Sequence, residues 1–159
     1  MRAVIVAVGR WRAGPERALY DDYARRLREA PELIEVEDKR KSDVATRVAR
    51  EAELLRARIP AGAVTIALDG SGRSLSSEDL ATRMRTWRES AVPAVAFIIG
   101  GADGLARDIV TGADLALSLG AMTWPHMLVR VMLAEQIYRA EAINAGHPYH
   151  RAGPPPERV

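Results

Sequence analysis

Ala94-Val95-Ala96-Phe97-Ile98-Ile99-Gly100-Gly101-Ala102-Asp103-Gly104 is the stretch on which the fold turns. Its first six residues are apolar without interruption, so a strand built from them has no wet face. An apolar run of strand length that ends in glycines fits a strand covered on both sides, the usual condition of a parallel sheet flanked by helices.

The rest of the chain agrees when read outward from there. Upstream, Arg2 to Val8 is a β-branched strand closed by Gly9. Pro15 opens a helix expected to run to about Glu29, with Leu19, Tyr23 and Leu27 on one face. Leu33 to Val36 gives a second strand. Ser42 is placed to cap the next helix, with Asp43 in its first turn and Val44, Val48 and Leu55 inward, and Pro60 ends it. Ala63 to Leu68 is a third strand leading into the turn Asp69-Gly70-Ser71-Gly72. Ser76 and Ser77 can cap a helix carrying Leu80, Met84 and Trp87. Downstream, a short helix is expected over Leu105 to Val110 and a fifth strand over Leu115 to Leu119. A last helix runs from Pro125 to Asn144, with Gly146 as its stop. Apolar strands alternating with helices predict an α/β domain over 1–151, a parallel sheet with helices on both faces. The proline-rich end, 152–159, is expected to be disordered.

Composition bounds the function. A chain of 159 residues, 48% hydrophobic and 28% charged, is long enough to bury roughly two thirds of its unfolded surface. It has no cysteine, which excludes disulfides, a thiol nucleophile and a cysteine-ligated metal. The apolar run at the N-terminus is too short for a signal peptide or a membrane span, so a cytoplasmic protein with no membrane partner is expected. The net charge is +2 with a pI of about 9.3, and only Lys39 and Lys41 among the cations are lysines. Such an arginine bias is compatible with a nucleic-acid partner, but a GC-rich genome that encodes Arg in place of Lys is the better account of it.

Ligands of open α/β sheets bind beyond the carboxyl ends of the strands. Two glycine-bearing turns fall there, at what should be neighbouring strand tips: 100–104 and 119–125. Such turns can grip an adenosine through main-chain groups, with Leu68 and Met122 packing around it; the same glycines would equally serve tight strand–helix connections. Val8-Gly9-Arg10-Trp11-Arg12 does not match G-x-G-x-x-G, and no Walker A lysine motif occurs. Of the three histidines, His126 and His147 are separated by a whole helix with no carboxylate cluster, so no metal site is expected. His126 reads as a capping or packing residue at a helix start. His147-Pro148-Tyr149-His150-Arg151 offers a base, an aromatic ring and a phosphate-binding cation, or else a tail packed on the body or on a second subunit. Lys39-Arg40-Lys41 reads as a solvated loop and Arg10-Trp11-Arg12 as a surface turn. Leu128, Val131, Ala134, Glu135 and Tyr138 form a helix stripe suited to a core or a dimer interface.

Taken together, these motifs carry a resemblance. Phe97-Ile98-Ile99-Gly100-Gly101-Ala102-Asp103-Gly104, then Leu117-Ser118-Leu119-Gly120-Ala121-Met122-Thr123-Trp124-Pro125-His126, then Leu128 to Ala140, and finally His147-Pro148-Tyr149-His150-Arg151 resemble the ribosomal RNA large subunit methyltransferase H family. That family is a branch of the SPOUT, or α/β-knot, methyltransferases. Ala7-Val8-Gly9, Tyr20, Tyr23 and Leu68-Asp69 fit as well, so the similarity spans nearly the whole chain up to Arg151.

The resemblance implies a C-terminal trefoil knot, a homodimer and S-adenosylmethionine as cofactor. The family's cofactor positions fall on Leu68, Gly100, Leu119, Gly120, Ala121, Met122, Thr123 and Trp124. It also implies methylation of N3 of a pseudouridine in 23S ribosomal RNA within the assembled ribosome. Two departures stand out: Ala102-Asp103 replaces the Pro-Glu of many relatives, which loosens that turn, and the chain continues past Arg151. In the expected chemistry His150 is the base, Tyr149 stacks on or hydrogen-bonds the target base, and Arg151 holds a phosphate or a uracil oxygen. The alternatives are a non-catalytic ribosome-binding protein on the same scaffold and a SPOUT methyltransferase acting on transfer RNA. The tail motif and the lack of an appended RNA-binding domain speak against the latter.

Overall fold

In the computed structural model, which describes residues 1–151, strands and helices alternate from end to end. The order is β1 (Arg2–Val8), α1 (Pro15–Arg26), β2 (Glu32–Val36), α2 (Val44–Arg56), β3 (Val64–Ser74), α3 (Ser77–Glu89), β4 (Ala94–Ile99), α4 (Arg107–Gly112), β5 (Leu115–Ser118) and α5 (His126–Asn144). The expected disordered tail, 152–159, lies outside the described residues.

The strands form one parallel five-stranded sheet in the order β2-β1-β4-β3-β5. β4 is paired on both edges, Ile99 lying opposite Ala7 of β1 and Leu68 of β3, and all its residues are buried. That position demands an unbroken apolar sequence. On one face Ile5, Ile66, Phe97 and Leu117 pack against Tyr20 of α1, Leu80 and Met84 of α3, and Leu133 and Ile137 of α5. On the other, Val4, Val6, Ala67 and Ile98 pack against Ala52 and Leu55 of α2 and Ile109 of α4. Each large side chain so buried contributes roughly 1.5–3 kcal/mol of transfer free energy.

The structure differs from the sequence expectation at several ends. α1 stops at Arg26, three residues before Glu29, because Leu27 turns extended and drives its side chain into the core. Asp43 caps α2 in place of Ser42; its carboxylate accepts from the Thr46 N–H at 2.7 Å and the Thr46 hydroxyl at 3.0 Å. α4 begins at Arg107, later than Leu105.

The larger correction concerns β3. Residues 69–72 do not end the strand. They bulge out, and the chain returns so that Leu68 and Arg73 both pair with Leu117. A Cβ on Gly72 would lie 2.6 Å from the Ala116 carbonyl, so only glycine permits this return along β5. The tips of β4 and β5 are also not neighbours, since β3 runs between them. The two glycine turns therefore face each other across the end of a third strand.

Candidate functional site

At those three strand ends lies an open cavity of about 280 Å³, near the lower limit for small-molecule sites. Leu68 enters from β3, Gly100 from the end of β4, and the unbroken run Leu119, Gly120, Ala121, Met122, Thr123 and Trp124 from the loop after β5. All eight sequence-predicted cofactor positions thus share one cavity. Asp69, His126 and Val129 complete parts of its wall.

The local backbone explains why the loops take this form. Gly100 has no space for a side chain: a Cβ would lie 2.6 Å from the Gly104 carbonyl carbon. The 101–104 turn is closed by the Gly104 N–H donating to the Gly101 carbonyl at 3.1 Å, and is clamped from outside by Asp103, whose carboxylate accepts from Arg47 Nε at 3.0 Å and Nη2 at 2.6 Å. Across the cavity Gly120 is left-handed at φ 113°, with open space where a Cβ would project. Ser118 Oγ locks that turn, accepting from the Gly120 N–H at 3.2 Å and donating to its carbonyl at 3.1 Å. Met122 is 74% exposed and Trp124 38%, two large apolar side chains left at the rim. A wall of main chain and apolar side chains, with glycines that admit close approach, fits the adenosine portion of S-adenosylmethionine.

His126 is not a side-chain cap of α5. It occupies the first helical position and lines the cavity, where burial and then the nearby Arg130 lower its pKa below the ordinary histidine value. It is therefore neutral at neutral pH.

The tail residues are placed elsewhere. After α5, the His147 N–H donates to the Ala142 carbonyl at 2.9 Å and Gly146 is left-handed, a helix-closing arrangement. Side chains then fasten the tail. The Tyr149 hydroxyl donates to Glu135 Oε1 at 3.0 Å, and its ring meets Tyr138 edge-on at 4.6 Å with the Arg139 guanidinium 4.9 Å from its centre. His150 Nε2 lies 2.7 Å from Glu78 Oε1, and its Nδ1 lies 3.4 Å from Arg139 Nη1. Arg151 is exposed. Burial first, then hydrogen bonding with Tyr23 and Glu135, pushes the Tyr149 phenol above its ordinary value. It stays protonated at neutral pH and acts as a donor. None of Tyr149, His150 and Arg151 lines the cavity of its own chain.

One residue behind the site went unnoticed in the sequence. Arg130 is wholly buried on α5, its Nη1 donating to Glu35 at 2.7 Å and its Nη2 to the carbonyls of Val8 at 2.8 Å and Gly9 at 2.7 Å. It fastens the first turns of α5, and with them the 119–125 loop, to the ends of β1 and β2. Its guanidinium also lies 5.2 Å from the Trp11 ring, and Trp11 packs on Tyr20 at 5.0 Å. Trp11 is thus half-buried against the core, while Arg10 and Arg12 on either side of it are exposed, as a surface turn requires. Lys39, Arg40 and Lys41 are exposed, Arg40 pairing with Asp38 at 2.7 Å. Among the described residues, no cluster of three or more histidines and carboxylates could hold a metal ion, and no helix is long and apolar enough to cross a membrane.

A parallel α/β sheet with a main-chain cradle at its strand tips is the arrangement in which open α/β proteins bind small ligands. The comparisons with known proteins narrow this. The family model described as "Predicted SPOUT methyltransferase" matches residues 1–150. Proteins named "Ribosomal RNA large subunit methyltransferase H" are similar over almost the full chain. That of Rhodospirillum rubrum is 54% identical, covering 96% of this chain and 100% of its own length. That of Paramagnetospirillum magneticum is 55% identical, covering 95% and 99%, and that of Rhodospirillum centenum 53% identical, covering 96% and 100%. The chain belongs to the SPOUT methyltransferase family, in its ribosomal RNA large subunit methyltransferase H branch.

Proposed function

We propose that this enzyme transfers a methyl group from S-adenosylmethionine to N3 of a pseudouridine in 23S ribosomal RNA, working as a cytoplasmic homodimer on the ribosome. The observation that carries the reading is the convergence of Leu68, Gly100 and the run Leu119–Trp124 on one cavity. The family's trefoil knot belongs to this reading. It is supported by family membership and by a sheet order in which the chain crosses β3 from β4 to β5 before α5 turns back against α1 and α3.

The pseudouridine N3–H is an imide, mostly protonated at neutral pH and a poor nucleophile until that proton leaves. S-adenosylmethionine supplies a methyl already activated on a sulfonium centre. What remains for the protein is in-line positioning and the removal of one proton. The 100–104 and 119–124 turns hold the donor. His150 accepts the proton, Tyr149 stacks on or hydrogen-bonds the target base, and Arg151 holds a phosphate or a uracil oxygen.

The tail lies outside its own cavity, and in this reading a second copy supplies it. A groove of about 610 Å³ between α1, α3 and α5, with Leu19, Leu75, Leu128 and Met132 in its wall, offers an apolar surface for that contact.

The decisive experiment uses ribosomes from a strain lacking the enzyme, incubated with the protein and donor and mapped by mass spectrometry. A new methyl on a pseudouridine of 23S RNA is expected, and methylation of transfer RNA alone would refute the reading. Calorimetry with S-adenosylmethionine should give a heat of binding, where a non-catalytic ribosome-binding protein would give none. His150→Ala should bind the donor normally and lose about 10²–10⁴-fold in single-turnover rate.

A further inference from the structure

We infer that Glu78 is a positioning residue for His150, holding the proton of its imidazole on Nε2 so that Nδ1 is the proton-accepting atom of the tail. The inference rests on the reading of His150 as base.

Two contacts select the same form of the ring. The Glu78 carboxylate, 2.7 Å from Nε2, carries no proton at neutral pH and can only accept. Its own backbone hydrogen bond and then His150 hold it below the usual glutamate range. Nε2 must therefore donate. The Arg139 guanidinium, 3.4 Å from Nδ1, can only donate, so Nδ1 must carry a lone pair. The neutral tautomer follows from the partners themselves, whatever hydrogen positions are assigned.

The two contacts are unequal, and the inequality suits a base. The Glu78 contact is short and its backbone is fixed. Glu78 sits in the first turn of α3, whose Ser76–Asp79 capping box closes its start, and neighbouring Ser77 donates to Gln136 of α5 at 2.7 Å. The Arg139 contact is long, and Arg139 is committed to Glu135 through Nε at 2.9 Å and Nη2 at 2.5 Å. An incoming N3–H can displace the Arg139 Nη1 from Nδ1 without costing Arg139 its main partner. The charged groups facing the ring are Glu78 from α3 and Arg139 from α5, with Glu135 behind the latter.

In the step itself, the N3–H bond breaks and its proton forms a bond to Nδ1. The pair left on N3 takes the methyl as the carbon–sulfur pair returns to sulfur. The imidazolium so formed keeps Glu78 against Nε2–H, and Arg139 withdraws to Glu135. A base oriented by a third group is the general logic of an activated proton acceptor.

The test uses the full chain with ¹⁵N-labelled histidine. A protected ring N–H proton on Nε2 of His150, assigned by its loss in His150→Ala, is expected in the parent and absent in Glu78→Ala. Glu78 is half exposed, so this variant should fold. Its single-turnover rate on ribosomes should fall about tenfold, less than the loss of the base itself, with donor affinity unchanged. Glu78→Gln, whose amide oxygen can still accept from Nε2, should recover most of the signal and the rate. A ring proton on Nδ1 in the parent, or a Glu78→Ala enzyme with either the signal or the rate intact, overturns the inference. Should His150→Ala prove fully active, the base assignment fails by itself, and the resonance still decides whether Glu78 holds the ring.

Discussion

Replacing Gly100 with alanine tests the cofactor cradle where its geometry leaves least room. The new Cβ would stand 2.6 Å from the Gly104 carbonyl carbon, 2.7 Å from its oxygen and 2.9 Å from the Leu105 nitrogen. All three atoms are backbone, and the nearest falls about 0.8 Å short of the 3.4 Å at which ordinary contact begins. No rotamer change relieves this. The turn must open, which strains the Gly104 N–H bond to the Gly101 carbonyl and the Asp103–Arg47 clamp. Overpacking of this kind costs about 1–3 kcal/mol. In a domain of this size that lowers Tm by roughly 2–12 °C. If donor binding must restore the original turn, the same energy weakens Kd by roughly 5- to 150-fold, since about 1.4 kcal/mol is tenfold.

Titration calorimetry with S-adenosylmethionine, paired with thermal unfolding, reads both. Gly62→Ala is the control. Gly62 lies at φ 72° in the turn entering β3, at the opposite end of the sheet, so its strain of about 1–2 kcal/mol should lower Tm without touching Kd. A Gly100→Ala protein that binds the donor within about twofold of the parent and melts at the parental temperature would show that the turn is not the cradle wall.

Further expectations concern the supports of the site. Arg130→Met leaves Glu35 and two carbonyls without their buried partner and should cost about 3–5 kcal/mol, measured by calorimetric or denaturant unfolding; a loss below about 1 kcal/mol would remove Arg130 from the scaffold. Asp103→Ala breaks a partly exposed ion pair worth about 0.2–1 kcal/mol, so donor affinity should fall by roughly 1.5- to 5-fold, more at low salt than at high. His126 has a folded pKa below its unfolded value of about 6.5, so the unfolded chain binds more protons in that window. Stability should therefore decline as pH falls below about 6.5, down to the folded pKa, and His126→Gln should flatten that slope in unfolding measured across pH.

Much of the fold was legible because β4 has no polar residue and the helices between strands keep a single apolar face. The ends were less so, since local chemistry is ambiguous there. Ser42 and Asp43 are both good caps, and only the position of the Thr46 N–H decides between them. Asp69-Gly70-Ser71-Gly72 has turn composition and does bulge, yet Leu117 of β5 pairs with residues on both sides of it and carries the strand on to Ser74. Periodicity holds no information on which strands pair, so the insertion of β3 between β4 and β5 could not be read. The cavity loops were visible as glycine clusters, and the resemblance supplied their occupant. Arg130 stayed hidden because its partner Glu35 lies 95 residues away, although an arginine in an otherwise apolar helix stretch was itself a signal.

The division of the site between two regions leads to a last prediction. The cradle is built from turns at the carboxyl ends of the sheet, whereas Tyr149 and His150 are tied to Glu135, Arg139 and Glu78 outside it. If the reaction joins the cradle of one chain to the tail of its partner, two defective proteins should repair each other at donor concentrations well below the weakened Kd of Gly100→Ala. Gly100→Ala has a damaged cradle and a sound tail, and His150→Ala the reverse. A mixed dimer then holds one site with both halves intact and one with neither. Random exchange of equal amounts puts half the chains in mixed dimers, so the mixture should recover about a quarter of the parental rate per chain. A tail serving its own cradle predicts no recovery at any ratio. Mixing the two after mild dissociation and assaying methyl transfer to ribosomes separates the cases, and the partner-supplied tail is refuted if activity never rises above that of the variants alone.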